Sequence, residues 1–445
     1  MNQPRIGFVT CVHPFYQMPA VEEARQRAID ELRRSGCEVI VAGIPRTSYD
    51  AIEVARQFRH GEIDLAILFF CTWVAEDITL ALAREMMDVP MLLWALPYLD
   101  RDVPMPSPMS GLIASGSNIR RLGKRFIHLV GGVTPGTVGK ALRAAKVAAV
   151  VRGLRRARFG IVGYPCPGMI DVAVDEAEIQ RALGATAVHL DLDALLQLAE
   201  AASPEEAGRA AACLLCAVQG DREIDEPRLA ENLRLYAGLK EMVRQNALDA
   251  YCVRCWPELR DGRKITPCTA HALLAEEGVP NTCEVDLTAL IATWILSRLA
   301  DAPAFNFDFT AYLEEEGAVQ LAHCGAAAPS LAGDPEKVSI RAHMRTGTGA
   351  TVEFPFKPGV VTLAKLLRPK NGELALAAAA GEVISSPGVR GSVATVRPQP
   401  SAAAFVDWLM REAVEHHIAL AYGAWLNDLA MFCEFTGIQF LTPRQ

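Results

Sequence analysis

The chain is predicted to be an α/β protein: two Rossmann-like α/β domains followed by a β-rich, barrel-like C-terminal domain with terminal helices. Three observations predict this. Short apolar runs alternate with amphipathic stretches at the start of the chain, the alternation returns in its middle, and beyond about residue 301 closely spaced strand-like runs are separated by Gly and Pro. At 445 residues the sequence is too long for one ordinary core, and the expected domains are 1–156, 157–301 and 302–445.

In the first segment RIGFVT, CEVIVAG, IDLAILFF and VPMLLWAL read as strands. They alternate with VEEARQRAIDELRRSG, YDAIEVARQFRHG and AEDITLALAREMM, whose apolar residues recur at helical spacing. Such βαβα alternation implies a mostly parallel sheet covered by helices, with functional loops at the carboxyl ends of strands. His13, Trp73 and Trp94 are the candidates there, His13 and Trp73 as substrate contacts. A helix then starts at Thr134 as N-cap with Pro135 at its first position.

The second segment runs through strands in ARFGIVGYP and ATAVHLDL, a long helix in EPRLAENLRLYAGLKEMVRQNAL, strands in ALDAYCVRCW and VPNTCEVD, and the helix LTALIATWILSRLA. Asp286 is expected to be the N-cap of that last helix. Neither half carries G-x-G-x-x-G or a P-loop at a strand-to-helix turn, and SGSNIRRLG lacks the spacing, so nucleotide binding has no support. In the third segment AFNFDF, GAVQLAH, KVSIRAH, ATVEFPF, VVTLAKL, ELALAAAA and SVATVRP describe an antiparallel sheet or small barrel. Helices around VDWLMREAVEHH and YGAWLNDLAMFCEFTG close the chain.

Hydrophobic residues make up 51% of the chain and charged residues 22%, the balance of a globular protein with ample material to bury. A net charge of −8 argues against nucleic acid or an anionic membrane as the main partner and leaves small molecules. No secretion signal is visible, and the longest apolar tracts, KVAAVVRGL and LALAAAAGEVI, fall well short of a membrane span. The 12 cysteines sit mostly in apolar runs, which suits buried thiols in a reducing cytoplasm. The pairs Cys213/Cys216 and Cys252/Cys255 are accordingly read as core packing and not as metal knuckles.

Four residues carry the chemistry. Glu284 in NTCEVD, Asp308 in FNFDF, His323 in LAHCG and His417 in EHHIALAYG each sit where a strand ends or a turn begins. Two carboxylates with two imidazoles suit a divalent ion such as Mn²⁺, with Mg²⁺ or Co²⁺ as alternatives. Both carboxylates also interrupt apolar runs, where an unpaired charge would be costly. Trp256, flanked by Glu258 and Arg260, suits a sugar face, although a surface salt bridge between the flanking charges is an equal alternative.

The order and spacing of these pieces resemble the L-fucose isomerase family and, more distantly, the L-arabinose isomerases, over most of the chain. Glu284 and Asp308 stand 24 residues apart, as do the two acidic metal ligands of that family. His417 precedes Tyr422-Gly423 as the family's last ligand precedes its Tyr-Gly pair, and His416 is the weaker candidate for that place and a substrate contact. His323 departs from the fucose isomerases and is similar to a ligand histidine of the arabinose isomerases; here ligand and substrate contact both stay open. Further similarity lies in FPFKPGVVTLAKL, in the RCWPEL run around Trp256, and in GYPCPGM, which puts Tyr164 and Met169 on a substrate loop.

The resemblance implies a metal-dependent aldose–ketose isomerase working through a cis-enediol, with Glu284 and Asp308 as both ligands and acid/base pair. Its expected substrate is a pentose or deoxy-hexose of the L-fucose or D-arabinose type. The alternatives are an anionic sulfo- or phospho-sugar, for which Arg341, Arg345, Lys357 and Arg390 are candidate contacts, and a non-catalytic sugar-binding or regulatory protein. The resemblance further implies a cytoplasmic homo-oligomer, trimer or hexamer, with sites near subunit interfaces.

Overall fold

The computed structural model describes residues 3–16, 18–99, 107–203, 205, 207–209, 212, 216, 218–368, 372–385 and 390–443. The chain divides into two compact units, residues 1–153 with 428–437, and residues 154–427 with 438–445.

The first unit is built on five parallel strands, β1 (Arg5–Cys11), β2 (Glu38–Val41), β3 (Leu65–Phe70), β4 (Met91–Ala95) and β5 (Ile127–Val130), in the order β2-β1-β3-β4-β5. Helices α1 (Pro19–Arg34), α2 (Ser48–His60), α3 (Glu76–Glu85), α4 (Pro108–Arg121) and α5 (Pro135–Leu154) connect and follow them. The central strands β3 and β4 are buried along their whole length, which is why they read as unbroken apolar runs. Thr47 starts α2 through a capping box with Asp50. The run SGSNIRRLG lies largely within α4 and forms no phosphate loop. Trp94 is fully buried in β4, its indole N–H donating to the Gly131 carbonyl at 3.0 Å, so this strand-end candidate is a core residue. From Asp428 onward the helix Leu426–Thr436 belongs to this unit, where buried Asp428 accepts a hydrogen bond from Arg143 Nε at 2.7 Å.

In the second unit a four-stranded parallel sheet contains β6 (Arg158–Val162), β7 (Thr186–Leu190), β9 (Ala250–Val253) and β10 (Asn281–Cys283), in the order β10-β9-β6-β7. Helices α6 (Glu176–Leu183), α7 (Leu192–Ala201), α8 (Glu226–Gln245), α9 (Cys268–Glu276) and α10 (Leu287–Ala300) accompany it. A ten-stranded mixed sheet adds β8 (Arg222–Glu223), β11 (Phe305–Leu313), β12 (Ala318–His323), β13 (Ser339–Arg341), β14 (Thr351–Pro355), β15 (Gly359–Leu367), β16 (Ala375–Ser385), β17 (Ser392–Pro398), β18 (His417–Tyr422) and β19 (Gln439–Leu441). Pairing of β16 with both β15 and β17 closes the six strands β16-β15-β18-β11-β12-β17 into a ring.

A single apolar core runs from β6 and β9 of the parallel sheet to β11, β15 and β18 of the ring, so both sheets belong to one compact unit with no division near residue 301. Helix α10 joins them. It is buried on nearly every side and contacts β9 and β10 as well as β15 and β18, which explains a sequence with almost no polar face. His417 opens strand β18, whereas the pattern VDWLMREAVEHH extends the preceding helix to it; that helix, α11 (Ala402–Glu412), ends before it.

Among the cysteine pairs Cys252 is buried in β9 and Cys255 is half-buried beyond it. Cys216 is exposed, which corrects its expected place in the core, and Cys213 lies outside the described residues. Among the described residues no helix is long and apolar enough to cross a membrane.

Candidate active site

The site is assembled at one end of the strand ring. Asp308 on β11 lies opposite both Ala322 of β12 and His417 of β18, while His323 is the last residue of β12. Glu284 arrives differently. Strand β10 ends at Cys283, and Glu284 and Val285 then adopt left-handed backbone angles, φ +66° and +63°, before Asp286 caps α10. Two successive non-glycine residues in that region are costly, the more so for a β-branched valine, and this is the kind of local strain found at functional sites.

These elements bring together the acids and histidines that the sequence singled out. His417 Nε2 lies 3.0 Å from Glu284 Oε2 and 3.3 Å from Asp308 Oδ1. Glu284, Asp308 and His323 form one group whose ligand atoms lie within 4.8 Å of one another, and Asp308, His416 and His417 form a second. The Cys324 amide donates to His323 Nδ1 at 2.8 Å, which in the neutral ring leaves the proton on Nε2; ligation through Nε2 requires that this contact be given up.

Burial and neighbouring charge oppose each other across the cluster, and charge prevails at each group. Burial pushes the Asp308 carboxyl up, but His323 and His417 outweigh it and hold the group at about 2. Burial of Glu284 is likewise overcome by its bond to His417 and by His323, and its pKa falls below the ordinary glutamate value. Burial opposes a charged His417, yet its bonds to Asp286, Asp308 and Glu284 raise it well above the ordinary histidine value. The carboxylates are therefore ionised, and imidazole protons supply the opposing charge.

The same geometry fits a divalent cation. Asp308 Oδ1 is buried without a hydrogen-bond partner, and it faces the nitrogen of His417 that also faces Glu284. Two carboxylate oxygens with one or two imidazole nitrogens are a donor set for Mn²⁺ or a similar ion. Glu284, Asp308 and His417 would hold it, with His323 as the fourth donor.

Residues that the sequence did not single out as functional support this cluster. Asp286 is the N-cap expected of it, accepting from the Ala289 amide at 2.8 Å and the Thr288 hydroxyl at 2.7 Å through Oδ1. Its Oδ2 does more, lying 2.8 Å from His417 Nδ1 and 2.6 Å from Lys365 Nζ. The adjacency of Asp286 to Glu284 was visible, but a cap accounts for that spacing equally well. Asp171 Oδ2 lies 2.6 Å from His416 Nδ1, and the Cys166 thiol donates to the Trp256 carbonyl at 3.4 Å, so the loop after β6 reaches the site. Both lie in or next to GYPCPGM, the one signal that could have found them.

Trp256 donates its indole N–H to Glu284 Oε1 at 3.1 Å. The flanking charges do not pair with each other: Glu258 binds Arg254 at 2.8 Å, while Arg260 binds Asp261 at 2.7 Å and lies 5.4 Å from the centre of the Trp256 ring. Tyr164 and Met169 lie on the loop after β6, Tyr164 72% exposed and Met169 half-buried. His13 and Trp73 meet each other in the first unit, their rings 5.1 Å apart. Of the candidate anion contacts, Arg341 pairs with Asp221 and Glu223, Arg390 with Glu353, and Lys357 lies over the Tyr422 ring; Arg345 is exposed.

No protein-family model matches the chain. Among curated proteins it is similar to a sulfoquinovose isomerase of Priestia aryabhattai, with 24% identity over 433 residues and 95% of both chains covered. Sulfoquinovose isomerases of a Clostridium species (strain MSTE9) and of Alkalicoccus urumqiensis match at 23% and 24%, over 82% and 80% of this chain and 85% and 81% of theirs. A solved substrate-binding protein of Clostridium difficile aligns with 63% of this chain and 74% of its own at 13% identity and a TM-score of 0.19.

Proposed function

We propose that the sugar converted by this aldose–ketose isomerase carries an anionic substituent, as sulfoquinovose does, and that the reaction depends on a divalent cation such as Mn²⁺. The observation that carries the reading is the meeting of Glu284, Asp308 and His417 at the end of the ring, in a chain whose sulfoquinovose-isomerase relatives run the same length. Sugar isomerisation needs a base at carbon, a shuttle between two hydroxyl oxygens and stabilisation of the enediol charge.

The residues supply these roles. Glu284, ionised and held by Trp256, takes the proton from C2 of the aldose and returns it at C1. Asp308 serves the hydroxyls, accepting the O2 proton and passing it to O1, so that the sum is a 1,2-shift with no net change in protons and Asp308 ends ionised as it began. A bound cation supplies Lewis-acid polarisation of the carbonyl. His416, tied to Asp171, and Trp256 line the approach of the sugar. The same reading takes the chain as a cytoplasmic homo-oligomer.

A second reading, a neutral pentose or deoxy-hexose of the L-fucose or D-arabinose type, is favoured by one observation: Arg341 and Arg390 are already paired with carboxylates. One experiment separates the two. Metal-stripped protein is incubated with Mn²⁺ in D₂O with sulfoquinovose, L-fucose and D-arabinose, and deuterium at C1 or C2 is followed by NMR. Cation-dependent exchange with sulfoquinovose alone supports the anionic reading, and exchange with the neutral sugars alone moves the substrate to the second. Exchange with none, in protein shown to hold Mn²⁺, defeats both.

A further inference from the structure

We propose that Lys365 is a positioning residue of the centre: by anchoring the Asp286 carboxylate behind His417, it fixes which imidazole nitrogen faces Glu284 and Asp308 and thereby sets the affinity for the cation. The inference rests on the preceding reading that a divalent cation binds there.

Lys365 is out of place by every rule of burial. It sits within β15 among Leu363, Ala364, Leu366 and Leu367, all buried, and its own side chain is 1% exposed. An isolated ammonium in such a place is prohibitively costly, and an apolar residue would fill the strand more simply. The charge is kept because two carboxylates meet it. Asp286 Oδ2 is 2.6 Å from Nζ and Glu415 Oε2 is 3.0 Å away.

Asp286 uses each of its oxygens differently. Oδ1 caps α10, a task that asparagine or serine performs as well. Oδ2 takes Lys365 on one side and His417 Nδ1 at 2.8 Å on the other. An ionised carboxylate can only accept, so the proton between this pair sits on Nδ1 and the ring turns Nε2 toward Glu284 and Asp308. Carboxylates behind ligand histidines play this orienting part in metal sites generally. What is particular to this chain is the buried ammonium behind the carboxylate, which touches neither His417 nor the acid pair and acts through Asp286 alone.

The test compares the wild-type chain with Lys365→Met, using Mn²⁺ calorimetry and ¹H–¹⁵N NMR of the imidazole groups in metal-free and Mg²⁺-loaded protein. The wild type is expected to show a downfield, slowly exchanging His417 N–H at Nδ1. In Lys365→Met that signal shifts or disappears and Mn²⁺ binds about 10- to 100-fold more weakly. A merely structural lysine would lower the unfolding temperature and leave both readouts unchanged in the folded variant, and that result overturns the proposal. Should Lys365→Met not fold, Lys365→Met with Glu415→Gln also removes the second carboxylate that met the lysine, while Asp286 keeps His417, Thr288 and the Ala289 amide. The wild-type spectrum also decides by itself, since a His417 without a proton on Nδ1 overturns the relay. A wild type that binds no Mn²⁺ defeats the cation reading instead, and the N–H signal in the variant still decides the role of Lys365.

Discussion

Asp308 and His417 are direct partners across the antiparallel pair β11 and β18, with Asp308 Oδ1 3.3 Å from His417 Nε2. Opposed residues of a ladder project to the same face, so the register alone puts an acid and an imidazole side by side. Glu284 completes the arrangement from the end of a different sheet, through a strained turn. The site is thus held by hydrogen-bonded strands and a capped helix, a rigid base for chemistry that tolerates little misplacement.

Replacing Glu284 by Gln or Asp308 by Asn keeps size and shape and removes the charge. Each is expected to lower isomerisation by at least about 10²-fold, the scale of positioned acid–base catalysis, with an unchanged circular dichroism spectrum. Near wild-type turnover in either folded variant would remove that residue from the acid/base pair.

His417→Leu takes the shared partner from Glu284 and Asp308 while Lys365 still balances Asp286. Breaking a buried ion pair from one side costs about 3–5 kcal/mol, and the remaining lysine puts the expected loss at the lower end of that range. Urea unfolding of the metal-free variant measures it, and a loss below about 1 kcal/mol, the scale of an exposed pair, would contradict the buried network.

The metal-free protein should lose stability at both ends of the pH scale. Asp308 is depressed to about 2 in the folded chain, so its contribution is complete above the ordinary aspartate value and disappears as pH falls toward 2. His417 is raised, so its contribution is complete below the ordinary histidine value and declines as pH rises toward the raised folded value. Saturating Mn²⁺ should abolish the alkaline decline, because the cation replaces the imidazole proton as the counter-charge. Thermal melts across pH, with and without Mn²⁺, read both effects.

Trp256→Phe keeps an aromatic face and deletes the N–H that meets Glu284 Oε1. A hydrogen bond to a charged group is worth about 1.5–3 kcal/mol, so kcat/KM is expected to fall about 10- to 100-fold with little change in melting temperature. An unchanged kcat/KM would show that Glu284 does not depend on this donor.

Much of the architecture could be read from periodicity. Buried parallel strands such as β3 and β4 are continuous apolar runs, and the Gly- and Pro-punctuated runs after residue 301 became the strands of the mixed sheet. That the second parallel sheet and the strand ring share one core was not legible, because it depends on which faces meet: α10 looks the same in sequence whether it closes one domain or joins two sheets. Glu284, Asp308, His323 and His417 stood out because charge in an apolar run is conspicuous. Asp286 and Lys365 did not, since a cap and a lone lysine each have an ordinary explanation until the fold brings β15 behind α10. Trp94 misled for the converse reason, a polar-tipped aromatic near a strand end whose N–H is satisfied inside the core.

The ring of six strands has a consequence for insertions and deletions. Residues Phe305–Asp308 are held on one side by β18, and at Asp308 by β12 on the other, so one residue added or removed within them would turn Asp308 to the opposite face or break the ladder. Just beyond, a bulge between Phe309 and Ala311 absorbs a change of register, and the turn 314–317 ends in Gly317 at φ +59°. Variation in chain length among descendants of this sequence is therefore expected to collect at that turn and to stop short of the bulge.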